Sequence, residues 1–556
     1  MNPQTILTKP KNWKSFKSQL KALSNKQKGD AFELLTKCYL QLHPTYDTQL
    51  KHVWLLSEVP IKVRRKLNLP DTDEGIDLIA ETNEGTYWAI QCKYKEDETK
   101  SLTRKELSTF TDLTFSICKN IELGLVCTST DRTSHKLKMH GDRLSFCSGE
   151  VWRSLDEEFF KRLHKNLNKK AVPLTPLKPR PHQKRAITKA HEHFVEEKNS
   201  RGKLIMPCGT GKSLAGYWIA EKLGANKILI AVPSLALIRQ TLEVWARESI
   251  AIKQKVSWIA VCSDESVSDL EKDDIAIFIQ DLGIKIHTDP KEIAEWLSKK
   301  HAGKTIVFST YQSGKAIAQA AIKSKTTFDL AIMDEAHKTV GKADSVFSHL
   351  LYDKNIKIKK RIFMTATERR YQGKSEQILS MEDPKVYGET FEMLSFKEAL
   401  DAKPPMLSDY KIVTLFVSRD EIKELVKKNL FVKPDKGKWD KEVEAEMLAS
   451  LVALRKAMEK YPIKKAVSFH SSIARAKAFR ASQDVFTNSF RKYGKLDTFH
   501  VSGKLPTSAR AKVIQGFAEA SRSLITNARC LTEGVDVPNI DCVLFADPKR
   551  STVDIV

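Results

Sequence analysis

Leu204-Ile205-Met206-Pro207-Cys208-Gly209-Thr210-Gly211-Lys212-Ser213 is the stretch from which the rest of the chain can be read. Three apolar residues form a short buried-type strand, two glycines let the backbone curl, and a helix opens at Leu214. A curled backbone turns its N–H groups toward one anion, and the following helix N-terminus adds its dipole. Lys212 contributes a full positive charge and Ser213 a hydroxyl for Mg²⁺. Gly209, Thr210, Gly211, Lys212 and Ser213 are therefore candidate nucleotide contacts. The strict phosphate-loop pattern has Gly at its first position, where this chain has Met206. A chance glycine turn is the bland alternative, but Gly-Lys-Ser between a strand and a helix is seldom that.

Outward from this loop, short apolar runs alternate with helical segments from Gly202 to about Met381: Ile228–Val232, Ile259–Cys262, Thr305–Phe308, Leu330–Met333 and Ile362–Met364. Such alternation means a parallel sheet with helices on both faces. After Lys403-Pro404-Pro405 a second set follows, Ile412–Phe416, Ala466–Phe469, Thr498–Val501, Leu524–Thr526 and Val543–Phe545. Two doubly wound lobes in series make a cleft between them the natural ligand site. The run Leu330–Met333 ends in Asp334-Glu335-Ala336-His337. A carboxylate there can hold Mg²⁺ through water, and its neighbour can orient the attacking water.

Asp334-Glu335-Ala336-His337 resembles motif II of superfamily 2 helicases, and further pieces match in order. Arg180-Pro181-His182-Gln183 resembles the adenine-reading Q motif, Val232-Pro233-Ser234 motif Ia, and Ser309-Thr310-Tyr311-Gln312 a further strand-contacting motif. Thr365-Ala366-Thr367 resembles motif III, Val467-Ser468-Phe469-His470 motif IV, and Thr526-Asn527-Ala528-Arg529 through Thr532-Glu533-Gly534-Val535-Asp536-Val537-Pro538 motif V. The resemblance implies ATP as cofactor, with Gln183, His337, Thr365, Thr367, Gly534 and Asp536 around it, Ser213 and Asp334 holding its Mg²⁺, and Glu335 catalytic. Motif VI, whose arginine fingers contribute on the order of 10³–10⁵ in rate, has no match between Asp547 and Val556. The expectation is a second lobe truncated before motif VI, binding ATP but hydrolysing it poorly.

The N-terminal region reads as a separate α/β unit. Helical spacing of Trp13, Phe16 and Leu20 precedes a second helix from about Asn25 to Leu42. Ile76–Ala80 and Tyr87–Lys93 then form a hairpin through Asn83-Glu84-Gly85, followed by a helix at about Thr103–Cys118 and a strand at Leu123–Cys127. Asp77 opens one hairpin strand and Gln91-x-Lys93 closes the other, with Gln91 and Lys93 on one face and Cys92 opposite. An Asp carboxylate and a Gln carbonyl can share a hard Mg²⁺, while Lys93 can stabilise a pentavalent phosphate. Glu33, on the preceding helix, could complete the site. Alone, Asp77 would be a turn residue and Lys93 a surface one. Together they resemble the Mrr-like branch of the PD-(D/E)xK nucleases, in which Gln replaces the usual Asp or Glu; this implies catalytic Asp77, Gln91, Lys93 and Glu33, with Mg²⁺ on Asp77 and Gln91.

An Mrr-like nuclease ahead of a superfamily 2 motor resembles the type ISP (type I single-polypeptide) restriction-modification enzymes. The expected division is a nuclease domain at 1–165, a basic proline-rich linker at 166–181, an N-terminal RecA-like lobe at 182–402 and an incomplete C-terminal RecA-like lobe at 403–556. The resemblance implies an ATP-dependent endonuclease that translocates on double-stranded DNA. It also implies a second copy for double-strand cleavage, and S-adenosylmethionine only if an adenine-N6 methyltransferase follows. The rival readings are a stand-alone helicase–nuclease for repair or phage defence, and a DNA or RNA remodelling motor whose N-terminal module binds without cutting.

Composition agrees with a nucleic-acid partner. Among 556 residues, 93 Lys and Arg against 69 Asp and Glu leave a formal charge of +24, which favours a polyanion. No uncharged apolar run approaches the roughly 20 residues needed to span a bilayer, and the N-terminus lacks a signal-peptide core. Nine cysteines without a C-x-x-C pair argue against a disulfide framework or structural zinc, so reduced thiols in the cytoplasm are expected and no membrane partner is. His191-Glu192-His193 is too closely spaced for two ligands on one helix face. His135 and His140 lack acidic or thiol partners, and Trp13, Trp54, Trp88 and Trp152 read as core.

Overall fold

A computed structural model of the chain describes residues 2–70, 75–98, 100–131, 143–170, 173–262, 279–342, 346–370, 378–418, 420, 441–489, 494–502, 507–528 and 540–547. His135, His140, Gly534 and Asp536 lie outside these. The described residues form two compact units, one running to Ser408 and one from Asp409 on. None of the described helices is long and apolar enough to cross a membrane.

The first unit begins with the helices Trp13–Leu20 and Asn25–Leu42, each started by a capping box, at Asn12 with Ser15 and at Ser24 with Gln27. They cover a five-stranded sheet in the order β1 (Leu50–Leu55), β2 (Leu78–Thr82), β3 (Tyr87–Lys93), β4 (Ile121–Thr128), β5 (Leu144–Cys147). The expected hairpin is present: β2 and β3 are antiparallel, with Leu78 opposite Ile90 and Glu81 opposite Tyr87. Gly85 turns the chain at φ +81°. β3, β4 and β5 run parallel. Alternation along β3 divides two cores, Trp88 and Ile90 packing with Phe32, Tyr87 and Ala89 with Phe110. Trp13, Trp88 and Trp152 are buried as expected, and Trp54 is half-buried.

The same unit continues into a parallel sheet of eight strands. They are β6 (Arg201–Ile205), β7 (Lys227–Val232), β8 (Val256–Val261), β9 (Ile286–His287), β10 (Lys304–Thr310), β11 (Phe328–Met333), β13 (Ile358–Thr365) and β15 (Glu389–Met393), in the spatial order β15-β6-β13-β11-β7-β10-β8-β9. A two-stranded pair, β12 (Gly341–Lys342) with β14 (Ile378–Leu379), stands apart from it. Near-continuous apolar strands such as Ile228-Leu229-Ile230-Ala231-Val232 are buried on both faces, as a doubly covered parallel sheet requires. All eight strands being parallel, their C-terminal ends lie along one edge, and β6, β13, β11, β7 and β10 deliver the motif-bearing loops there side by side. His193, read as structural, bonds the Arg201 carbonyl at 2.7 Å and packs on Phe194 and Phe391.

The stretch expected to be a linker is held in place. The helix Glu157–Leu167 enters it, and the helix Pro181–His191 starts with Pro181 at its first turn. Between them the Leu177 amide donates to Glu248 at 3.0 Å, and Arg247 donates to the Thr175 carbonyl at 3.2 Å. One apolar cluster runs without a break from Phe16, Phe32 and Trp152 to Leu242, Trp258 and Phe308. Polar contacts close the seam: Trp258 Nε1 to Thr48 Oγ1 at 2.9 Å, Trp296 Nε1 to Glu84 at 2.6 Å, Lys285 to Glu122 at 2.7 Å, and Ser145 Oγ to the Gln280 carbonyl at 2.9 Å.

The second unit has four parallel strands in the order β17 (Asp497–His500), β18 (Ser523–Asn527), β16 (Lys465–Phe469), β19 (Cys542–Phe545). Ile412–Phe416, expected as a strand, is irregular, with Ile412 86% and Phe416 88% exposed. An apolar run becomes a strand only where a neighbouring edge pairs with it, and the described sheet does not include this segment.

At the seam of the first unit, Tyr46 donates its hydroxyl to the Gly283 carbonyl at 2.9 Å and lies 3.1 Å from Cys147 Sγ. Gly283 has φ +71°, and a Cβ there would come within 2.6 Å of the Tyr46 oxygen and 2.9 Å of Cys147 Sγ. Gly283→Ala is expected to cost about 2 kcal/mol from strain and overpacking together, read as a lower thermal unfolding midpoint for the full chain.

Candidate functional site

At the strand edge, Gly209 and Gly211 take φ +80° and +85°, conformations an L side chain resists. The helix Lys212–Lys222 starts directly on Gly211. Met206, where the strict pattern has Gly, is 1% exposed and part of the core, and the bends fall at the two later glycines. The Lys212 ammonium, in a side chain only 8% exposed, pairs with Glu335 at 3.1 Å. Burial alone would lower its pKa, but Glu335, with Cys208 and Asp334 behind it, holds it above its ordinary value.

Asp334 and Glu335 follow β11. Glu335 sits at φ +49°, and its amide donates to Asp334 Oδ1 at 2.9 Å. Burial, then the neighbouring Glu335 charge, pushes the Asp334 carboxyl up to about 6. Burial pushes Glu335 the same way, but His337 and Lys212 outweigh it and hold Glu335 at about 2. The half-buried Glu335 therefore stays ionised at neutral pH. His337 Nδ1 lies 3.4 Å from Glu335 and 3.1 Å from Thr365 Oγ1, and Thr365 in turn bonds the Thr367 backbone. Lys212, Asp334, Glu335, His337, Thr365 and Thr367 thus form one connected set around the phosphate loop.

Gln183 is at this site in an orientation the sequence did not suggest. Its Oε1 accepts from the Arg180 amide at 2.9 Å, and its Nε2 donates to the Gly211 carbonyl at 3.2 Å and the Thr210 carbonyl at 3.4 Å. His182 Nε2 bonds the Thr210 carbonyl at 3.0 Å. Both side chains brace the loop, and a Cβ on Gly211 would come within 2.5 Å of Gln183 Nε2. Ser213 is half-buried at the helix start.

The hairpin brings a second set together. Asp77 precedes β2, with its amide donating to the Ile90 carbonyl at 2.9 Å and its carbonyl accepting from Leu56 at 2.8 Å. Its Oδ2 accepts from the Cys92 amide at 2.5 Å, which fixes the carboxylate beside the strand residues between Gln91 and Lys93. Gln91 is 2% exposed, and its Oε1 has no hydrogen-bond partner among the described residues. A buried carbonyl oxygen left unpaired is costly. Such an oxygen is a hard donor of the kind Mg²⁺ takes. Lys93 is half-buried on the Gln91 side of β3. Burial raises the Cys92 thiol, and the charges of Asp77 and Glu33 raise it further while Lys93 lowers it. Asp77 and Glu33 thus both lie near the Cys92 thiol. No group of three His, Cys, Asp or Glu suited to a metal occurs among the described residues; the hairpin donor set departs from that pattern because one donor is an amide.

Two features escaped the sequence reading. Cys208 is exposed in the phosphate loop, its Sγ 3.8 Å from Lys212 Nζ; its place inside the Gly-Lys-Ser loop was the available signal. Tyr311, quoted within a motif but given no role of its own, donates its hydroxyl to the Asp334 carbonyl at 2.6 Å. No spacing in the sequence signals that contact, which crosses the end of an intervening strand.

Gln91→Leu removes the unpaired oxygen while nearly keeping the side chain's size. In metal-free buffer the variant is expected to unfold within about 1 kcal/mol of the parent or above it. The parent should gain about 1 kcal/mol when Mg²⁺ is present at about five times its Kd, and the variant should lose that gain. Thermal unfolding with and without Mg²⁺ reads both.

Three families match successive parts of the chain: "Restriction endonuclease" over residues 41–143, "Type III restriction enzyme, res subunit" over 176–370, and "Helicase conserved C-terminal domain" over 446–556. Among curated proteins, a "Probable helicase" of African swine fever virus is 26% identical over 388 residues, 69% of this chain and 39% of the viral protein. An ATP-dependent rRNA helicase of Saccharomyces cerevisiae is 27% identical over 109 residues, 19% of this chain and 18% of the yeast protein. Among solved structures, the ATP-dependent type ISP restriction-modification enzyme LlaBIII bound to DNA is similar with a TM-score of 0.78 and 26% identity, covering 98% of this chain and 36% of LlaBIII. The chain thus spans about two fifths of the viral relative and about a third of LlaBIII. It carries a region matched by a restriction-endonuclease family ahead of regions matched by helicase-type families, and shares, over nearly its whole length, the fold of the type ISP restriction-modification enzyme LlaBIII.

Proposed function

We propose that this chain is the nuclease-and-motor part of an ATP-dependent restriction endonuclease that translocates on double-stranded DNA. The observation that carries the reading is the buried Gln91 Oε1, without a hydrogen-bond partner among the described residues, on the strand whose Cys92 amide holds the Asp77 carboxylate, in one compact unit with the Lys212–Glu335 pair. The DNA-bound state of LlaBIII supports duplex DNA as partner, as does the net charge of +24. None of the families matched over these residues is a methyltransferase, so an adenine-N6 methyltransferase and S-adenosylmethionine rest on the resemblance alone. Cleavage of both strands would take a second copy, because one hairpin site of this kind cuts one strand.

In the motor, the ATP phosphates would compete with Glu335 for Lys212. Gly209, Thr210 and Gly211 would wrap them, Gln183 would brace the loop or read adenine, and Ser213 and Asp334 would hold Mg²⁺. Glu335, released and ionised, would orient the attacking water, with His337, Thr365 and Thr367 relaying its state. Gly534 and Asp536 are assigned to the same nucleotide by motif resemblance alone. In the nuclease, Asp77 and Gln91 would hold Mg²⁺, with Glu33 completing the site. Bound Mg²⁺ acts as a Lewis acid on the scissile phosphate and lowers the pKa of water. Lys93 would stabilise the charge gathering on the phosphate.

Supercoiled DNA digestion by the full-length protein, with Mg²⁺ and with or without ATP, tests this. Cleavage is expected only with ATP, and Lys212→Ala should abolish both hydrolysis and cleavage. Asp77→Ala should leave DNA-stimulated ATP hydrolysis within about twofold while cutting falls by about 10²-fold or more. Cutting that ignores ATP, or that survives Asp77→Ala, overturns the reading.

A further inference from the structure

The short helix Ile61–Leu67 carries Lys62, Arg64, Arg65 and Lys66 and no acidic residue. Lys62, Arg65 and Lys66 are exposed, and at i, i+3 and i+4 they share one side of the helix. Among the described residues no carboxylate pairs with any of the three, and Glu58, the acid nearest before them in the chain, is held by Lys37 at 2.5 Å. Folding alone does not account for this set. Val63 and Leu67 supply the packing against the core. The helix dipole favours cations in the last turn, which suits Arg65 and Lys66, but it favours an acid in the first turn, where Lys62 stands. Lys62 and Lys66 are moreover a like-charged i,i+4 pair, a destabilising arrangement. Ile61, ahead of them, is 68% exposed.

The fourth cation ties the helix down. Arg64 Nη1 donates to the Leu56 carbonyl at 3.1 Å and Nη2 to the Pro70 carbonyl at 3.3 Å. At the other end the Lys119 amide donates to the Leu67 carbonyl at 2.9 Å and Asn120 Nδ2 to the Lys66 carbonyl at 3.3 Å. The Lys66 ammonium lies 4.7 Å over the Tyr87 ring, which steadies it without cancelling its charge. Leu55 is opposite Leu78, and Leu78 opposite Ile90, so the end of β1, the start of β2 and the end of β3 meet at one end of the sheet. The chain leaves that end to form the helix. Leu56 joins the two: its amide donates to the Asp77 carbonyl at 2.8 Å while its carbonyl accepts from Arg64. The basic face is therefore fixed relative to Asp77.

Resting on the nuclease reading, we infer that Lys62, Arg65 and Lys66 form the surface that grips the phosphate backbone of duplex DNA beside the Asp77 and Gln91 site. Such contacts hold the duplex against the cutter without reading its sequence.

The test uses the full-length protein with three exposed charges removed, Lys62→Ala, Arg65→Ala and Lys66→Ala together. A companion, Lys62→Arg, Arg65→Lys and Lys66→Arg, keeps the charges. Cleavage of supercoiled DNA with Mg²⁺ and ATP, DNA-stimulated ATP hydrolysis and thermal unfolding are measured for both and for the parent. At about 50 mM salt the alanine variant is expected to cut about tenfold or more slowly, with ATP hydrolysis within about twofold and an unchanged unfolding midpoint. The companion should cut within about threefold of the parent. Raising salt to about 200 mM should slow the parent more than the alanine variant, because the variant has fewer counterions to release. Cutting by the alanine variant at the parent's rate overturns the inference, as does a companion that fails alongside it, which would make shape and not charge the requirement. An equal salt response also overturns it. So does a fall in stimulated ATP hydrolysis matching the fall in cleavage, or a lowered unfolding midpoint. A parent that cuts no DNA at all defeats the nuclease reading first, which separates the two failures.

Discussion

A lysine ammonium with 8% of its side chain exposed has to have an anion beside it, because burial without a counter-charge is prohibitive. Here that anion is Glu335, and much of the motor lobe follows from keeping the pair together. Lys212 comes from the loop after β6 and Glu335 from the loop after β11, so the two strands must end at the same edge, with β13 between them. Thr365 at the end of β13 is then within reach of His337, which also faces Glu335. Glu335 accepts a left-handed backbone as part of the arrangement. An incoming phosphate would offer Lys212 a stronger partner than a single carboxylate, so the pair is also the point at which nucleotide can alter the network.

Much of this was legible in the sequence because the signals were local. Gly-Lys-Ser between an apolar strand and a helix needs only a few residues to be recognised. The hairpin of β2 and β3 was marked by its turn, and its alternation assigned Gln91, Cys92 and Lys93 to faces that the structure keeps. Periodicity gave β6, β7, β10, β11 and β13, since a doubly covered parallel sheet writes nearly pure apolar runs. Ile412–Phe416 carried the same kind of run without becoming a strand, because periodicity reports apolar character and pairing depends on a neighbour distant in the chain. Tertiary contacts were not legible either. Gln183 was read as a base-reading residue, and nothing in Arg180-Pro181-His182-Gln183 indicated that its amide turns to Gly211 and Thr210. The basic, proline-rich stretch after Leu167 was read as a linker on composition alone, which is blind to Glu248 and Arg247 some seventy residues on.

The two candidate sites are built on different principles. The strand-edge set gathers side chains from the ends of three parallel strands, β6, β11 and β13, whose register is fixed by a covered sheet, and its charges are balanced among themselves. The hairpin set comes from one turn of chain and a helix, and carries a buried oxygen with no partner among the described residues. A balanced set can wait for its ligand at little cost, whereas an unpaired buried oxygen is a standing liability that function has to justify.

The first unit is held across its seam by the indole N–H groups of Trp258 and Trp296, bonded to Thr48 and Glu84, and both tryptophans are 4% exposed. Swinging the hairpin layer away would strand two donors and bare two large rings, so it rides on the parallel sheet as cargo bolted to a chassis. On the proposed function, the offset between the halted motor and the broken phosphodiester would be set by the length of folded protein between them. A cutter trailing on a loose tether would scatter its breaks over the tether's reach, whereas one bolted in this way would carry its own ruler.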